Sequence, residues 1–448
     1  MQVSLIVLAA GLGSRMNSDL PKVLHKLAGV PMLYHALNAG RALDPARIVV
    51  VTGHGAPEVT TAALAFDEAC DCVLQDPQLG TGHAVAQAAP LLADATGEAI
   101  VLYGDTPFIR PETLQEMLAA RVDHAVVILG FTPKDPARYG RLVTDGDQLL
   151  KIVEYKEATE AERTITMCNS GVVCADVQTL QRLIESVGNQ NVAGEYYLTD
   201  IVEIARAEGL SCGYVTCDES ETLGINTRAQ LAAAEAAFQT RARAEALDNG
   251  VTLTAPETVF FALDTWIGRD ATIGPNVIFG PGVTVESGAE IKGFCHLEGC
   301  HISRGAQVGP FARLRPGAEL AEDVHVGNFV EVKNAILDEG VKVGHLTYIG
   351  DSDIGEFTNV GAGTVTCNYD GVMKHRTRIG KRAFIGSGTM LVAPVTVGDD
   401  ALTASGSVVT EDVPAGAIAF GRPRQVNKPG LALRLMDRLR AIKAKGAN

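Results

Sequence analysis

Directly after an apolar run, the chain reads Leu8-Ala9-Ala10-Gly11-Leu12-Gly13-Ser14-Arg15-Met16. Gly11 and Gly13 let the backbone turn its N–H groups toward an anion. Arg15 adds a fixed cation to that loop, and Lys22, in Leu20-Pro21-Lys22-Val23-Leu24, adds another. Two cations beside such a loop suit phosphoryl transfer, because they neutralise charge that builds on the phosphoryl oxygens. Spacing excludes two common alternatives. A Walker loop needs G-x-x-x-x-G-K-[ST], which is absent, and the dinucleotide fingerprint needs a third Gly where Met16 stands.

Three further segments could complete this site. Gln75-Asp-Pro-Gln-Leu-Gly-Thr-Gly-His83 offers Gly80 and Gly82 for close approach, with Gln75 and Thr81 as neutral groups able to read a base edge. Tyr103-Gly104-Asp105 ends a hydrophobic run. A carboxylate there can hold Mg²⁺ through one or two protein ligands plus substrate phosphates. Glu154, Asn169 and Asn226 are single polar residues near strand ends.

The elements that must position these residues alternate. Val3–Leu8, Ile48–Val51, Ala99–Leu102 and Ala125–Leu129 read as buried strands, and Met32–Arg41, His83–Leu92 and Pro111–Arg121 carry helical spacing. That alternation predicts a mainly parallel sheet with helices on both faces, whose ligands bind at the C-terminal ends of the strands. Thr227–Asp248 has no Gly or Pro and reads as a connecting helix near the domain boundary.

The second half has another period. Ile267, Ile273, Phe279, Val285, Ile291 and Leu297 stand six apart, a five-residue step leads to Ile302, and the sixes resume through Val332. Further five-residue steps reach Leu337 and Ile354, and Ile379, Ile385, Leu391 and Val397 follow a loop. Gly often follows the apolar residue. Such a repeat fits a parallel β-helix of hexapeptides, one inward side chain per flat side, with the small residue permitting the tight corner. Thr366–Arg378 breaks the period, and a loop inserted in a solenoid is where function often lives. The tail Leu431–Lys445 is amphipathic and basic.

A length of 448 residues predicts two or three domains. The net charge of −15 argues against a nucleic-acid or anionic-membrane binder, while local basic residues leave small anionic substrates possible. No apolar run reaches the roughly 18 residues of a membrane helix. The N-terminus flows into a Gly turn and reads as a first strand, not a signal peptide. Nine cysteines without a C-x-x-C pair indicate reduced thiols and a cytoplasmic protein.

Together, LAAGLGSRM with LPKVLH, QLGTGHA, YGDTP, and a hexapeptide half carrying GHLTYIGD and NYDG resemble the bacterial bifunctional N-acetylglucosamine-1-phosphate uridylyltransferases / glucosamine-1-phosphate acetyltransferases. The resemblance covers nearly the whole chain, up to about Pro429. It implies an α/β nucleotidyltransferase domain, Rossmann-like with a mainly parallel sheet, followed by an all-β left-handed parallel β-helix of hexapeptide repeats. The implied boundaries are 1–226 for the uridylyltransferase, 227–249 for the connecting helix, 250–428 for the acetyltransferase and 429–448 for the basic tail. The implied reactions move acetyl from acetyl-CoA to glucosamine 1-phosphate, then join the product to UTP, giving UDP-N-acetylglucosamine and pyrophosphate.

Carried over motif by motif, Leu8, Ala9, Ala10 and Gly11 would meet the nucleotide, with Arg15 and Lys22 on its phosphates. Gln75, Gly80 and Thr81 would hold the uracil. Tyr103, Gly104, Gly140, Glu154 and Asn169 would hold the sugar end, and Asp105 and Asn226 the Mg²⁺. In the second half Arg315 and Lys333 would hold the sugar phosphate, with Tyr348 and Asn359 nearby. Ala362, Asn368, Tyr369, Ser387, Ser405 and Arg422 would meet the substrate or acetyl-CoA. Ser405 replaces a small residue expected in relatives, a change that a backbone contact survives.

His345 would be the base. The sugar amine must lose a proton to attack a thioester, and an imidazole, which titrates near neutral pH, is a suitable acceptor. Tyr348 lies three residues on. Lys333 and Arg315 lie about one and two coils earlier, so a prism would stack them with His345 along one side. Three flat sides also favour packing about a threefold axis, so a homotrimer with acetyl sites between subunits is expected. Two rivals remain: a pyrophosphorylase whose hexapeptide half only regulates or oligomerises, and a non-enzymatic binding protein of the same plan. Intact Arg15, Lys22 and Asp105 speak against the second.

Overall fold

A computed structural model describes residues 2–445. Residue 1 and the last three residues of the expected basic tail, 446–448, lie outside the described residues. Contacts divide the chain into two compact units, the first running to Glu245 and reclaiming Phe261–Asp264, the second holding Ala246–Phe260 and everything from Thr265.

The first unit is built on a nine-stranded sheet. Its main path runs Cys212–Cys217, Val126–Phe131, Cys168–Asp176, Glu98–Tyr103, Val3–Ala9, Arg47–Thr52, Asp71–Leu74. Val3–Ala9 is buried throughout and pairs in parallel with strands on both sides. Alternate residues serve opposite faces: Ile6, Leu8, Val49 and Val101 enter one core, and Leu5, Val7, Val50 and Leu102 the other. The expected strands form with margins of one or two residues. Cys168–Asp176 is the departure, running antiparallel to both neighbours near the middle of the sheet. The antiparallel hairpin Arg141–Asp145/Gln148–Val153 precedes it. The expected helix His83–Leu92 is also corrected. It is an α-helix Thr81–Ala86 followed by a 3₁₀ turn Ala89–Leu92. Pro90 explains the break, since its ring cannot continue the preceding turn and offers no N–H.

The long helix spans Arg228–Asp248 and buries Ala234, Phe238 and Gln239. The Gln239 carboxamide donates to Phe261 O and accepts from Phe261 N, both at 2.8 Å, which fastens the returning segment to this unit.

The second unit is a left-handed parallel β-helix. Register links Ile273, Ile291, Val308, Val326, Val343, Val360 and Ile385 from coil to coil. These inward residues are buried, as are Phe279, Val285, Leu297, Leu314 and Val332. Towards the later coils the interior turns polar: Thr358, Thr364, Thr366, Thr389 and Thr403 are fully buried. Thr389 Oγ1 donates to Gly386 O at 2.6 Å and meets Thr403 Oγ1 at 3.1 Å, so these two hydroxyls are satisfied inside the prism.

The structure corrects the reason for the glycine after the inward residue. The corner conformation falls mostly three positions after that residue, where φ is positive, as at Asp270, Asn276, Gly282 and Gly288. The following glycine is instead needed because coils are close. A Cβ on Gly274 would stand 2.6 Å from Gly293 N, and one on Gly361 2.5 Å from Ser387 N. The five-residue steps have a cause as well. In them the left-handed residue comes one position early, at Gly299, Asn334 and Asp351. Register places these three on one edge of the prism, and the insertion after Cys367 leaves from that same edge.

The tail forms the helix Leu431–Lys445, with no buried residue. Among the described residues, no helix is long and apolar enough to cross a membrane.

Candidate functional site

In the first unit the predicted residues gather at the C-terminal ends of the central strands. Lys22 opens a 3₁₀ turn, Lys22–Leu24, and its Nζ donates to the Asp105 carboxylate and, at 3.0 Å, to Asn226 Oδ1. Two oxygens from distant parts of the chain thus converge on one cation. Gly13 makes this possible, since a Cβ there would stand 2.6 Å from Lys22 Cβ. Gly11 faces open space, and Arg15 is exposed on the Ser14–Met16 turn. Leu8, Ala9 and Ala10 are buried, and Gly104 N donates to Leu8 O at 2.9 Å, tying the Asp105 strand end to the glycine loop.

Gln75 is buried. Its Nε2 donates to Gly80 O at 2.9 Å and lies 3.2 Å from His83 Nδ1, which leaves Oε1 as its acceptor. Gly80 passes so near Tyr196 that a Cβ would stand 2.6 Å from the carbonyl oxygen. Thr81 Oγ1 accepts from Leu198 N at 3.0 Å. Burial, then the negative charge of Asp105, pushes the Tyr103 phenol well above its ordinary range, against a hydrogen bond with Thr81. On the other side Asn169 N donates to Gly140 O at 2.9 Å, and a Cβ on Gly140 would stand 3.4 Å from Glu154 Oε1. Burial and then Glu157 raise the Glu154 carboxyl, and a hydrogen bond with Thr199 opposes them. Asp200 is pushed up to about 6 by burial, then by Glu203, Glu157 and Glu154. Thr199 was not visible from sequence, because nothing in its surroundings marks it before the fold brings it to Glu154.

In the second unit, His345 Nδ1 lies 2.7 Å from Asn328 Oδ1 on the coil before. A carboxamide oxygen only accepts, so Nδ1 carries the proton and Nε2 is left as the basic nitrogen. Register continues this column through Ala362 and Ser387 to Ser405. Gly388 N donates to Ala362 O at 2.7 Å, and Gly406 N to Ser387 O at 2.8 Å. Arg422 closes the column beside Gly406, where a Cβ would stand 3.8 Å from its Cδ. The adjoining edge changes character at this point. Phe294, Phe311, Phe329 and Leu346 lead up to the His345 coil, and Gly363, Gly388 and Gly406 lie beyond it, leaving backbone bare.

The expectation that Arg315, Lys333 and His345 form one stack is corrected. Arg315 and Lys333 do stack, and Lys333 pairs with Gly350. His345 belongs to the neighbouring sheet, because the corner at Leu346 intervenes. Tyr348 lies on the side of Arg315 and Lys333, where it pairs with Glu331, its phenol so close over Gly350 that a Cβ there would find no room. Arg315 Nη1 donates to Glu331 Oε1 at 2.8 Å. Asn359 pairs with Lys342 and Phe384 in the His345 sheet. Tyr369 is exposed, whereas Asn368 is buried and donates to the Asp351 carboxylate. The insertion also delivers Lys374, which lies near enough to Lys333 to lower its pKa. Lys374 was missed from sequence, although its place in the insertion was a usable signal.

Comparison with known proteins follows the same two-part division. Residues 5–167 match the MobA-like NTP transferase domain family, and residues 264–299 match the bacterial transferase hexapeptide (six repeats) family. Proteins named "Bifunctional protein GlmU" are similar over the full length. Those of two Cereibacter sphaeroides strains are 74% identical, covering 99% of this chain and 97% of theirs, and 72% identical, covering 100% and 99%. That of Paracoccus denitrificans is 67% identical, covering 98% of each chain.

Proposed function

The chain belongs to the GlmU family of bifunctional proteins, and from that premise we propose how its residues divide the two reactions. It is a bifunctional transferase that acetylates glucosamine 1-phosphate with acetyl-CoA and couples N-acetylglucosamine 1-phosphate to UTP, releasing pyrophosphate. Its product serves cell-wall synthesis.

Residues 1–226 carry uridylyl transfer, 227–249 connect, 250–428 carry acetyl transfer, and 429–448 form a tail. In the first site Leu8 to Gly11 line the nucleotide, and Gln75 Oε1 accepts from the uracil N3–H beside Gly80 and Thr81. Tyr103, Gly104, Gly140, Glu154 and Asn169 hold the sugar. An oxygen of the sugar phosphate attacks the α-phosphorus of UTP, pyrophosphate leaves, and Arg15 and Lys22 neutralise the oxygens that gain charge. Mg²⁺ suits Asp105 and Asn226, since their hard oxygens already converge on an ammonium. When bound, it supplies charge neutralisation at the phosphates.

In the second site Arg315 and Lys333 take the sugar phosphate, with Tyr348, Asn359, Asn368 and Tyr369 around the sugar. His345 Nε2 takes the proton from the amine as the amine attacks the thioester carbonyl, and the CoA thiolate leaves. Ala362, Ser387, Ser405 and Arg422 line the path of acetyl-CoA. The observation that carries this reading is the His345–Asn328 pair, which frees Nε2 at the foot of that column. A homotrimer is supported by the exposed ladder Phe294, Phe311 and Phe329, whose rings stack at 4.9 and 5.2 Å, and by exposed Val372 and Met373 on the insertion. Nine free thiols support a cytoplasmic protein, and the net charge of −15 supports partners that are small molecules, not nucleic acid or an anionic membrane. The test is an assay with acetyl-CoA and glucosamine 1-phosphate, with mass measured in solution. Failure to acetylate that substrate, or a monomer with full acetyl transfer, refutes the corresponding part.

A further inference from the structure

Asp351 lies outside every role assigned above, yet it is tied to several of those residues at once. It is 6% exposed and left-handed, at φ 47°, on the edge where the five-residue steps occur. Asn334, one coil earlier, donates to Oδ1 at 2.5 Å, and Asn368, one coil later, donates to Oδ2. Burial opposes its ionisation. The two carboxamides, with Lys333 and Lys374, outweigh burial and hold the carboxyl below its ordinary value. Asn368 begins the insertion. Arg376 ends it, donating through Nε and Nη2 to Asp353, two residues from Asp351. Inside the insertion, the Asp370 carboxylate accepts from Val372 N at 2.8 Å and Met373 N at 2.7 Å, and meets His375 Nε2 at 2.8 Å. The loop is therefore braced at both ends and within.

Lys333 and Lys374 make an unfavourable pair. The influence of Lys374, then burial, depresses the Lys333 pKa, with Arg315 adding to the repulsion. A negative charge beside such cations offsets their repulsion and favours their charged forms. Asp351 is that charge. It is also too enclosed, and its oxygens too fully engaged by amides, to contact a bulky substrate.

We propose that Asp351 is a positioning residue for acetyl transfer: through Asn368 it anchors the insertion, and by its charge it holds Lys333 and Lys374 together to receive the dianionic phosphate of the amino sugar. This inference rests on the assignment of Lys333 to the sugar phosphate. A neutral residue at 351 leaves the two cations to repel and spread. The substrate phosphate must then pull them together, so substrate affinity falls while the chemistry at His345 is preserved.

The experiment compares Asp351→Asn, Asn334→Gly and Lys333→Ala with wild type in both activities. Asn334 has φ 46°, a conformation glycine accepts, so Asn334→Gly removes one donor to Asp351 without straining the corner. Asp351→Asn should raise KM for glucosamine 1-phosphate about tenfold or more, with kcat within about threefold and uridylyl transfer unchanged. The alkaline rise of KM, which reports loss of lysine charge, should move to lower pH. Asn334→Gly should move both readouts in the same direction by a smaller amount. If both variants keep the wild-type KM and pH profile while Lys333→Ala raises KM, the role of Asp351 is overturned and the phosphate assignment stands. If Lys333→Ala leaves KM unchanged, the phosphate assignment itself is overturned. Should Asp351→Asn not fold, Asn334→Gly decides: an unchanged KM overturns the inference.

Discussion

Gly361→Ala tests why glycine recurs in the β-helix and how strongly the acetyl-CoA column depends on coil spacing. Gly361 has no positive φ, so alanine suits its backbone. The obstacle is the next coil, where the new Cβ would stand 2.5 Å from Ser387 N and 2.7 Å from Ile385 O. The shortest comfortable carbon–oxygen approach is about 3.3 Å, so the coils must part by about 0.6 Å or more. The bond from Gly388 N to Ala362 O, now 2.7 Å, would lengthen beyond a good hydrogen bond. Overpacking of this kind costs about 1–3 kcal/mol, which lowers the melting temperature of a unit this size by roughly 2–12 °C. Because Ala362 and Ser387 shift apart, KM for acetyl-CoA should rise about tenfold, and uridylyl transfer should not change. The comparison is Gly363→Ala. There φ is +73°, but the nearest neighbour atom would be 3.8 Å away, so only left-handed backbone strain of about 1–2 kcal/mol applies. Thermal melting and acetyl-transfer kinetics of both variants give the answer. If Gly361→Ala melts with wild type and keeps its KM, the coil-contact explanation is wrong.

His345→Ala should lower acetyl transfer by about 10²–10⁴-fold and spare uridylyl transfer. Activity within a few-fold of wild type near neutral pH would remove His345 as the base, and assays at higher pH should show partial recovery as free amine accumulates. Asp105→Ala should abolish uridylyl transfer at any Mg²⁺ concentration while acetyl transfer persists, and parallel loss of both in a folded variant would refute two independent sites. Asp200 has its carboxyl raised from 3.8 to about 6. The folded state therefore binds more protons than the unfolded one, so this residue's penalty grows as pH rises from about 4 to about 6 and stands in full above that. Asp200→Asn should stabilise the first unit at pH 7–8 by about 1 kcal/mol after allowing for its partial exposure, and the gain should vanish below about pH 4 in thermal melts.

The parts of this molecule that repeat or alternate were readable from sequence. Val3–Leu8 announces a buried strand because every residue but Ser4 is apolar, and the six-residue phase from Ile267 announces the prism because one side chain on each flat side must be dry. Cys168–Asp176 was not readable as an antiparallel insert, since a strand's composition does not tell which way its neighbours run. Lys22 and Asp105 stood out by motif, but Asn226 could be tied to them only by resemblance. The split of Arg315 and Lys333 from His345 shows a similar limit. Counting residues per coil gives height along the prism, but a corner at Leu346 decides which side each residue occupies. The polar interior around Thr389 and Thr403 was hidden for a different reason, because threonine is found as readily on a strand's wet face.

The three shortened steps at Gly299, Asn334 and Asp351, and the insertion after Cys367, share one edge. That edge acts as an expansion joint. A corner there can lose a residue or gain a whole loop while the strands on either side keep their register, so changes in chain length need not propagate into the stack. The other edges carry regular steps, and the one beside His345 must keep its rungs in line for a ligand that runs across several coils. New segments, whether tags, reporter loops or specificity elements, should therefore be tolerated at Gly282 or Gly317, and should disrupt the column when placed at Gly363 or Gly388.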